Sequence, residues 1–178
     1  MNKNNKLEET LNKIFTTSDY KMVDVGNKVV THRRALATGE IILGSKVIEM
    51  IKAKKMPKGD PLSIAEISGI NGAKKTSELI PLCHPLSLNH ISIHTEINEK
   101  KYSIAVYCLV SANSKTGVEM EALSGVNSAL LTIYDLSKIV EPNLKITNTK
   151  LLVKSGGKKG LWINPDGIPD KIKNTLNL

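Results

Sequence analysis

The chain is poor in residues that nucleic-acid-binding and secreted proteins depend on. Aromatic residues make up 3% of its 178 positions, with one Trp and one Phe. Proteins that hold single strands without sequence preference stack bases on aromatic side chains, so generic nucleic-acid binding loses ground. Two cysteines, Cys83 and Cys108, are too few for a disulfide scaffold, and a reduced state is the simpler expectation. No apolar run approaches the ~20 residues of a membrane span. The first twenty residues include Glu8, Glu9 and Asp19 and lack an apolar stretch, which argues against a secretory signal or transit peptide. A soluble, cytoplasmic protein with no membrane partner is expected.

What the chain does have is positive charge. A net charge of +8 and a pI near 9.4 imply anionic partners: nucleic acid, nucleotide, phosphorylated metabolite or an acidic surface. A hydrophobic content of 40% is enough for one substantial core. No internal repeat or linker divides it.

Residues 1–20 read as a polar arm with a short helix at 6–15. From Met22 the pattern is extended, and Thr31, Arg33, Ala35 and Ala37 share one strand face. Helices follow at about 45–55 and from Asp60-Pro61, an N-cap with proline at the first helical position, to about Glu78. Asn71-Gly72 is a candidate break within the second. Strands at about 86–97 and 102–112 come next, with Tyr102, Ile104, Val106, Cys108 and Val110 on one face of the latter. A helix over 119–141 and a strand over 144–154 complete the core, and the polar segment 163–178 reads as loosely held. The order is βαββαβ with one additional helix. This predicts an α+β fold, a ferredoxin-like antiparallel sheet with helices on one face. The uncovered face of such a sheet makes self-association a reasonable expectation.

The 119–141 helix is short of charge. Between Glu121 and Glu141 it carries only Asp135 and Lys138, three apart and within reach of one another. This is either an ordinary surface ion pair or an acid–base pair on a second buried face. Cys83 and His84 stand between Pro81 and Pro85, which stiffen the loop and suit substrate binding, proton transfer or simply a tight turn. His90 and His94 are ~13 Å apart on a regular strand and cannot ligate one ion together, so no metal site is expected. Arg33 has small neighbours that leave room for a phosphate beside its guanidinium, although a surface ion pair is the simpler alternative. Lys58-Gly59-Asp60 is a turn tip or a lysine aimed at an anion. Lys154-Ser-Gly-Gly-Lys158 resembles a phosphate cradle but lacks Walker A spacing.

Taken together, several motifs resemble those of the cyclic pyranopterin monophosphate synthases of molybdenum cofactor biosynthesis. They are Met22–Val25, Lys58–Asp60, Ala73–Thr76, Leu79–Leu86, Lys115–Leu123, Leu131–Lys138 and Lys154–Lys158. The resemblance spans residues 21–161, read as the catalytic domain, and leaves 1–20 and 162–178 as arm and tail. Lys159 stands where a small polar residue is common. The resemblance implies a phosphorus-oxygen lyase acting on 3′,8-cyclo-7,8-dihydroguanosine 5′-triphosphate, a GTP-derived substrate, with release of pyrophosphate. It implies a homo-hexamer, a trimer of dimers, with sites between subunits. Asp135 and Lys138 would be the acid–base pair, assisted by Lys58. Leu82, Cys83, His84, Met120 and Glu121 would bind substrate, with Arg33, Glu119 and Lys154 completing the pocket. No cofactor is required, although Mg²⁺ can accompany the triphosphate, and no nucleic acid is a partner. If Lys58 and Asp135 came from different chains, mixing variants at the two positions could restore activity in hybrid sites. A basic RNA-binding module and a non-catalytic nucleotide-binding protein are the alternative readings.

Overall fold

The computed structural model describes residues 3–15, 19–170 and 172–173. Parts of the expected arm and tail, residues 1–2, 16–18, 171 and 174–178, lie outside them. Five strands, β1 (Thr31–Ile42), β2 (His90–Asn98), β3 (Ser103–Ser114), β4 (Lys145–Ser155) and β5 (Trp162–Ile163), form one sheet in the order β2-β3-β1-β4-β5. All neighbours are antiparallel. Without the two-residue β5, this is the ferredoxin-like arrangement predicted from the sequence. The helices are α1 (Lys3–Phe15), α2 (Ser45–Lys52), α3 (Pro61–Lys74), α4 (Thr76–Leu79) and α5 (Glu119–Ser137). Among these described helices, none is long and apolar enough to cross a membrane.

The core forms where α3 and α5 lie on the sheet and against one another. Alternation along β3 buries Ile104, Val106, Cys108, Val110 and Ala112 completely, and α5 answers with Ala122, Val126, Ala129, Leu130 and Ile133. Each fully buried Val, Leu or Ile contributes about 1.5–3 kcal/mol. The helices come close because the contact is made of small residues. A Cβ on Gly125 would stand 2.6 Å from Cys108 Sγ and 3.2 Å from the Gly69 carbonyl oxygen. Gly125→Ala gains about 1 kcal/mol of helix propensity but overpacks this contact. The expected net result is destabilisation by about 1–2 kcal/mol, read as a lower urea midpoint with an unchanged slope.

Asp60 caps α3 as predicted. Its carboxylate accepts from Leu62 N at 3.0 Å and Ser63 Oγ at 2.6 Å. Other boundaries differ from the sequence reading. Helix α3 runs through Asn71-Gly72, because the missing Cβ at Gly72 makes room for Ser128 of α5. Helix α2 ends at Lys52, and Lys54 turns the chain at φ 56. Helix α5 stops at Ser137 with Lys138 as its cap. Tyr102 is not on the buried face of β3 but in the preceding turn at φ 48, with 48% of its surface exposed. Past Ala37, β1 continues to Ile42 through Gly39, where a Cβ would meet Leu130 and Val126 of α5. The segment after β4 is not wholly loose, since β5 pairs with β4. Ile168 there packs with Leu36, Leu152 and Val153 on the sheet's other face.

Candidate active site

Helix α5 carries a cluster of ionisable groups at each end. At its C-terminal end, Asp135 Oδ1 accepts from Lys138 Nζ at 2.7 Å and Oδ2 from Lys58 Nζ at 3.0 Å. Lys58 is placed from the loop before α3. Met56, two residues earlier, is buried, and Gly59 at φ 94 leads into the Asp60 cap. The hydrogen bond from Lys138, then that from Lys58, holds the Asp135 carboxyl below the usual carboxylate range. In return Asp135 raises the Lys138 ammonium. At neutral pH the group is one carboxylate between two ammonium ions. Both shifts lead away from neutrality, which in the lone chain makes Asp135 a weaker base and Lys138 a weaker acid than free groups.

At the N-terminal end lies an open cleft of about 700 Å³. Lys28, Arg33, Arg34, Lys115, Lys154, Lys158 and Lys159 line it, together with Glu119 and the Gly156-Gly157 turn. Antiparallel pairing puts Arg33 of β1 beside the end of β4, since Arg34 is opposite Ser155. Arg33 Nε and Nη2 donate to the carbonyls of Ser114 and Lys115, each at 3.3 Å. Lys154 Nζ pairs with Glu119 Oε1 at 2.9 Å. Of these cations, sequence reasoning missed Lys28, Arg34, Lys115 and Lys159, the last noted only as standing where a small polar residue is common. Lys115 alone had a signal, its place in a loop leading into a helix N-terminus.

The Cys83-His84 loop reaches the same end. Cys83 is half-buried close to Glu121, and burial first, then the Glu121 charge, pushes its thiol up. The thiol therefore stays protonated and is a weak donor rather than a nucleophile. His84 Nε2 donates to the Val23 carbonyl at 2.8 Å, and Lys115 Nζ donates to the Gly26 carbonyl. These two bonds tie the segment 21–30 over the N-terminal end of α5. Leu82 and Met120 remain 51% and 38% exposed at its rim.

Glu121 is 4% exposed, and burial raises its carboxyl, with the Glu119 charge adding to the effect. The folded chain therefore binds this proton more tightly than the unfolded chain. Its contribution makes stability fall as pH rises from the ordinary glutamate range to the raised folded value. Relative to the native chain, Glu121→Gln should thus be more stable at about pH 8 than at about pH 4. Urea midpoints of both proteins at the two pH values check this, and a difference that shrinks with rising pH contradicts it.

The structure brings Lys58, Asp135 and Lys138 together at one end of α5, and Arg33, Glu119 and Lys154 together at the other. It does not join the two groups. Sixteen residues separate Glu119 from Asp135, which at ~1.5 Å per residue is ~24 Å. Lys58 and Asp135 touch within one chain, so a complementation test has to pair residues from opposite ends of α5 instead. Beside Asp135 in sequence, Leu131 one turn earlier on α5 is 62% exposed and Ile139, just past the end of the helix, is 64% exposed.

The model of the MoaC family matches residues 22–157, which include every residue of both clusters except Lys158 and Lys159. The chain is 43% identical over 145 residues to the cyclic pyranopterin monophosphate synthase of Chloroflexus aurantiacus, covering 82% of this chain and 89% of that protein. It is 43% identical over 152 residues to the mitochondrial cyclic pyranopterin monophosphate synthase of Arabidopsis thaliana, covering 85% of this chain and 56% of that one. A molybdenum cofactor biosynthesis bifunctional protein of Synechococcus elongatus is 44% identical over 149 residues, 84% of this chain and 47% of that protein. The chain thus spans about half the length of the latter two. With a family match over most of its length, and with the βαββαβ core and both clusters inside the matched region, the chain belongs to the MoaC family.

Proposed function

We infer that the chain is a cyclic pyranopterin monophosphate synthase, and that each of its active sites joins the two ends of α5 from two different subunits. The observation that carries this reading is the ~24 Å between the acid–base cluster and the basic cleft. A single nucleotide cannot engage both ends of one helix across that distance, whereas a two-fold partner can place one end against the other. The exposed apolar surface beside Asp135 supports the same arrangement. So does the electrostatics, because a covering subunit would desolvate Asp135 and Lys138 and move both toward neutrality, where proton transfer is efficient.

In this reading the basic cleft takes the triphosphate. Arg33 and Lys154 neutralise the phosphate chain, and Glu119 releases Lys154 as the anion arrives. Cys83, His84 and Glu121 meet the ring system through hydrogen bonds, and Leu82 and Met120 cover its apolar edge. Asp135 and Lys138, assisted by Lys58, move the protons that ring opening and pyran closure require. A substrate hydroxyl then attacks the α-phosphorus, its proton passes to a base, and the bond to the bridging oxygen breaks as pyrophosphate leaves. Cations around the leaving group stabilise its charge. No net electron transfer occurs, so the reading assigns no redox cofactor, and Mg²⁺ that travels with the triphosphate enters as part of the substrate. A hexamer of three dimers in the cytoplasm is the expected form. The test is pyrophosphate release from 3′,8-cyclo-7,8-dihydroguanosine 5′-triphosphate with equimolar cyclic pyranopterin monophosphate. Binding without release would favour a nucleotide-binding protein, and tight, salt-dependent RNA binding without release an RNA-binding module.

A further inference from the structure

Arg33 is enclosed by backbone on two sides, and one of them can close only because position 157 has no side chain. The Ser114 and Lys115 carbonyls accept from Nε and Nη2 on one side. On the other, Nη1 faces the Gly156-Gly157 turn that follows β4. Both glycines are left-handed, at φ 98 and φ 71. A Cβ at Gly156 would overlap the His32 carbonyl, which is main chain within the sheet. A Cβ at Gly157 would instead overlap Nη1 and stand 2.6 Å from Cζ and 2.8 Å from Nη2 of Arg33. The obstacle at Gly157 is the guanidinium itself.

We propose that Gly157 is a positioning residue, whose missing side chain lets the turn after β4 close on Arg33 and hold its guanidinium aimed at the phosphate chain of the substrate. This rests on the reading of the basic cleft as the triphosphate site. A guanidinium grips phosphate with two parallel N–H donors in one plane, so a modest rotation takes both out of line. Lys28, Lys115 and Lys154 end in flexible ammonium groups that can follow an anion. Arg33, fixed by the backbone, sets where the anion rests. A methyl group at position 157 would keep every charge and remove only that placement.

The test is a double-mutant cycle in the full-length assembled protein. Gly157→Ala, Arg33→Ala and the double variant are compared for affinity toward inorganic tripolyphosphate and for KM and kcat of pyrophosphate release. Gly160→Ala is the control for backbone strain, since Gly160 lies in the same turn at φ 62 with open space around it. Gly157→Ala should weaken tripolyphosphate binding about tenfold and raise KM alike, yet add less than about twofold in the Arg33→Ala background. An equal loss in both backgrounds, an equal loss with Gly160→Ala, or no loss with Gly157→Ala while Arg33→Ala binds weakly overturns the positioning role. Full affinity in Arg33→Ala overturns the triphosphate reading of the cleft itself. If Gly157→Ala fails to fold, adding Arg33→Lys, which removes Nη1, should restore folding, and failure to restore it also overturns the proposal.

Discussion

Asp135→Asn is expected to slow pyrophosphate release by about 10²- to 10⁴-fold while leaving the chain folded and assembled. Asparagine keeps the size of the side chain but cannot accept a proton at neutral pH, and it no longer holds two ammonium groups by charge. The Asp135 side chain is 52% exposed, so the substitution opens no cavity in the core. Ion pairs half-exposed within the single chain contribute little to its stability, and the unfolding midpoint of the dissociated subunit should barely move. Single-turnover product formation, with sedimentation to follow assembly, checks both halves of this expectation. Near-native turnover by the folded variant would remove Asp135 from the chemistry.

Arg33→Ala combined with Lys154→Ala should raise KM by about 10²- to 10³-fold, with a smaller effect on kcat at saturation. The two cations lie on the same cleft but act differently. Arg33 is fixed by main-chain carbonyls, whereas Lys154 is held by Glu119 at 2.9 Å. Removing Lys154 also leaves the Glu119 carboxylate without its partner in the cleft, facing an incoming anion. Lys154→Ala alone should therefore impair binding more than Arg33→Ala alone. Titration with the triphosphate at two salt concentrations checks the order, and equal or reversed losses contradict it.

The sheet and its helical layer were legible because their signals are local. Alternation from Ile104 to Val110, the Asp60-Pro61 cap and the apolar arc through Val126, Leu130 and Ile133 each specify one element without reference to the others. Boundaries failed where tertiary contact overrides local preference. Asn71-Gly72 looks like a break in isolation, but Gly72 is the point where Ser128 of α5 comes too close for a side chain. The site was legible in a different way. Asp135 and Lys138 sit three residues apart and announce themselves as a pair. Lys58 is 77 residues from Asp135 and joined them only through motif resemblance. The approach of Cys83 to Glu121 and the enclosure of Arg33 between two turns had no sequence signal, because each depends on how separate loops meet at one end of α5. The spacing of Glu119 from Asp135 along one helix was legible, but the gathering of Arg33 and Lys154 around Glu119 is visible only once the sheet is assembled.

The most direct test of a site shared between chains is complementation between the two ends of α5. Asp135→Asn subunits and subunits carrying Arg33→Ala with Lys154→Ala, each nearly inactive alone at substrate near the native KM, are unfolded and refolded together and assayed for pyrophosphate release at that concentration. In a hybrid two-fold pair, one site carries every substitution and the other carries none. Random mixing of equal amounts should therefore recover about a quarter of native activity. A mixture of Asp135→Asn with Lys58→Ala should recover nothing, since those residues meet within one chain. No recovery in the first mixture, once exchange of subunits is demonstrated, would contradict the account, as would equal recovery in both.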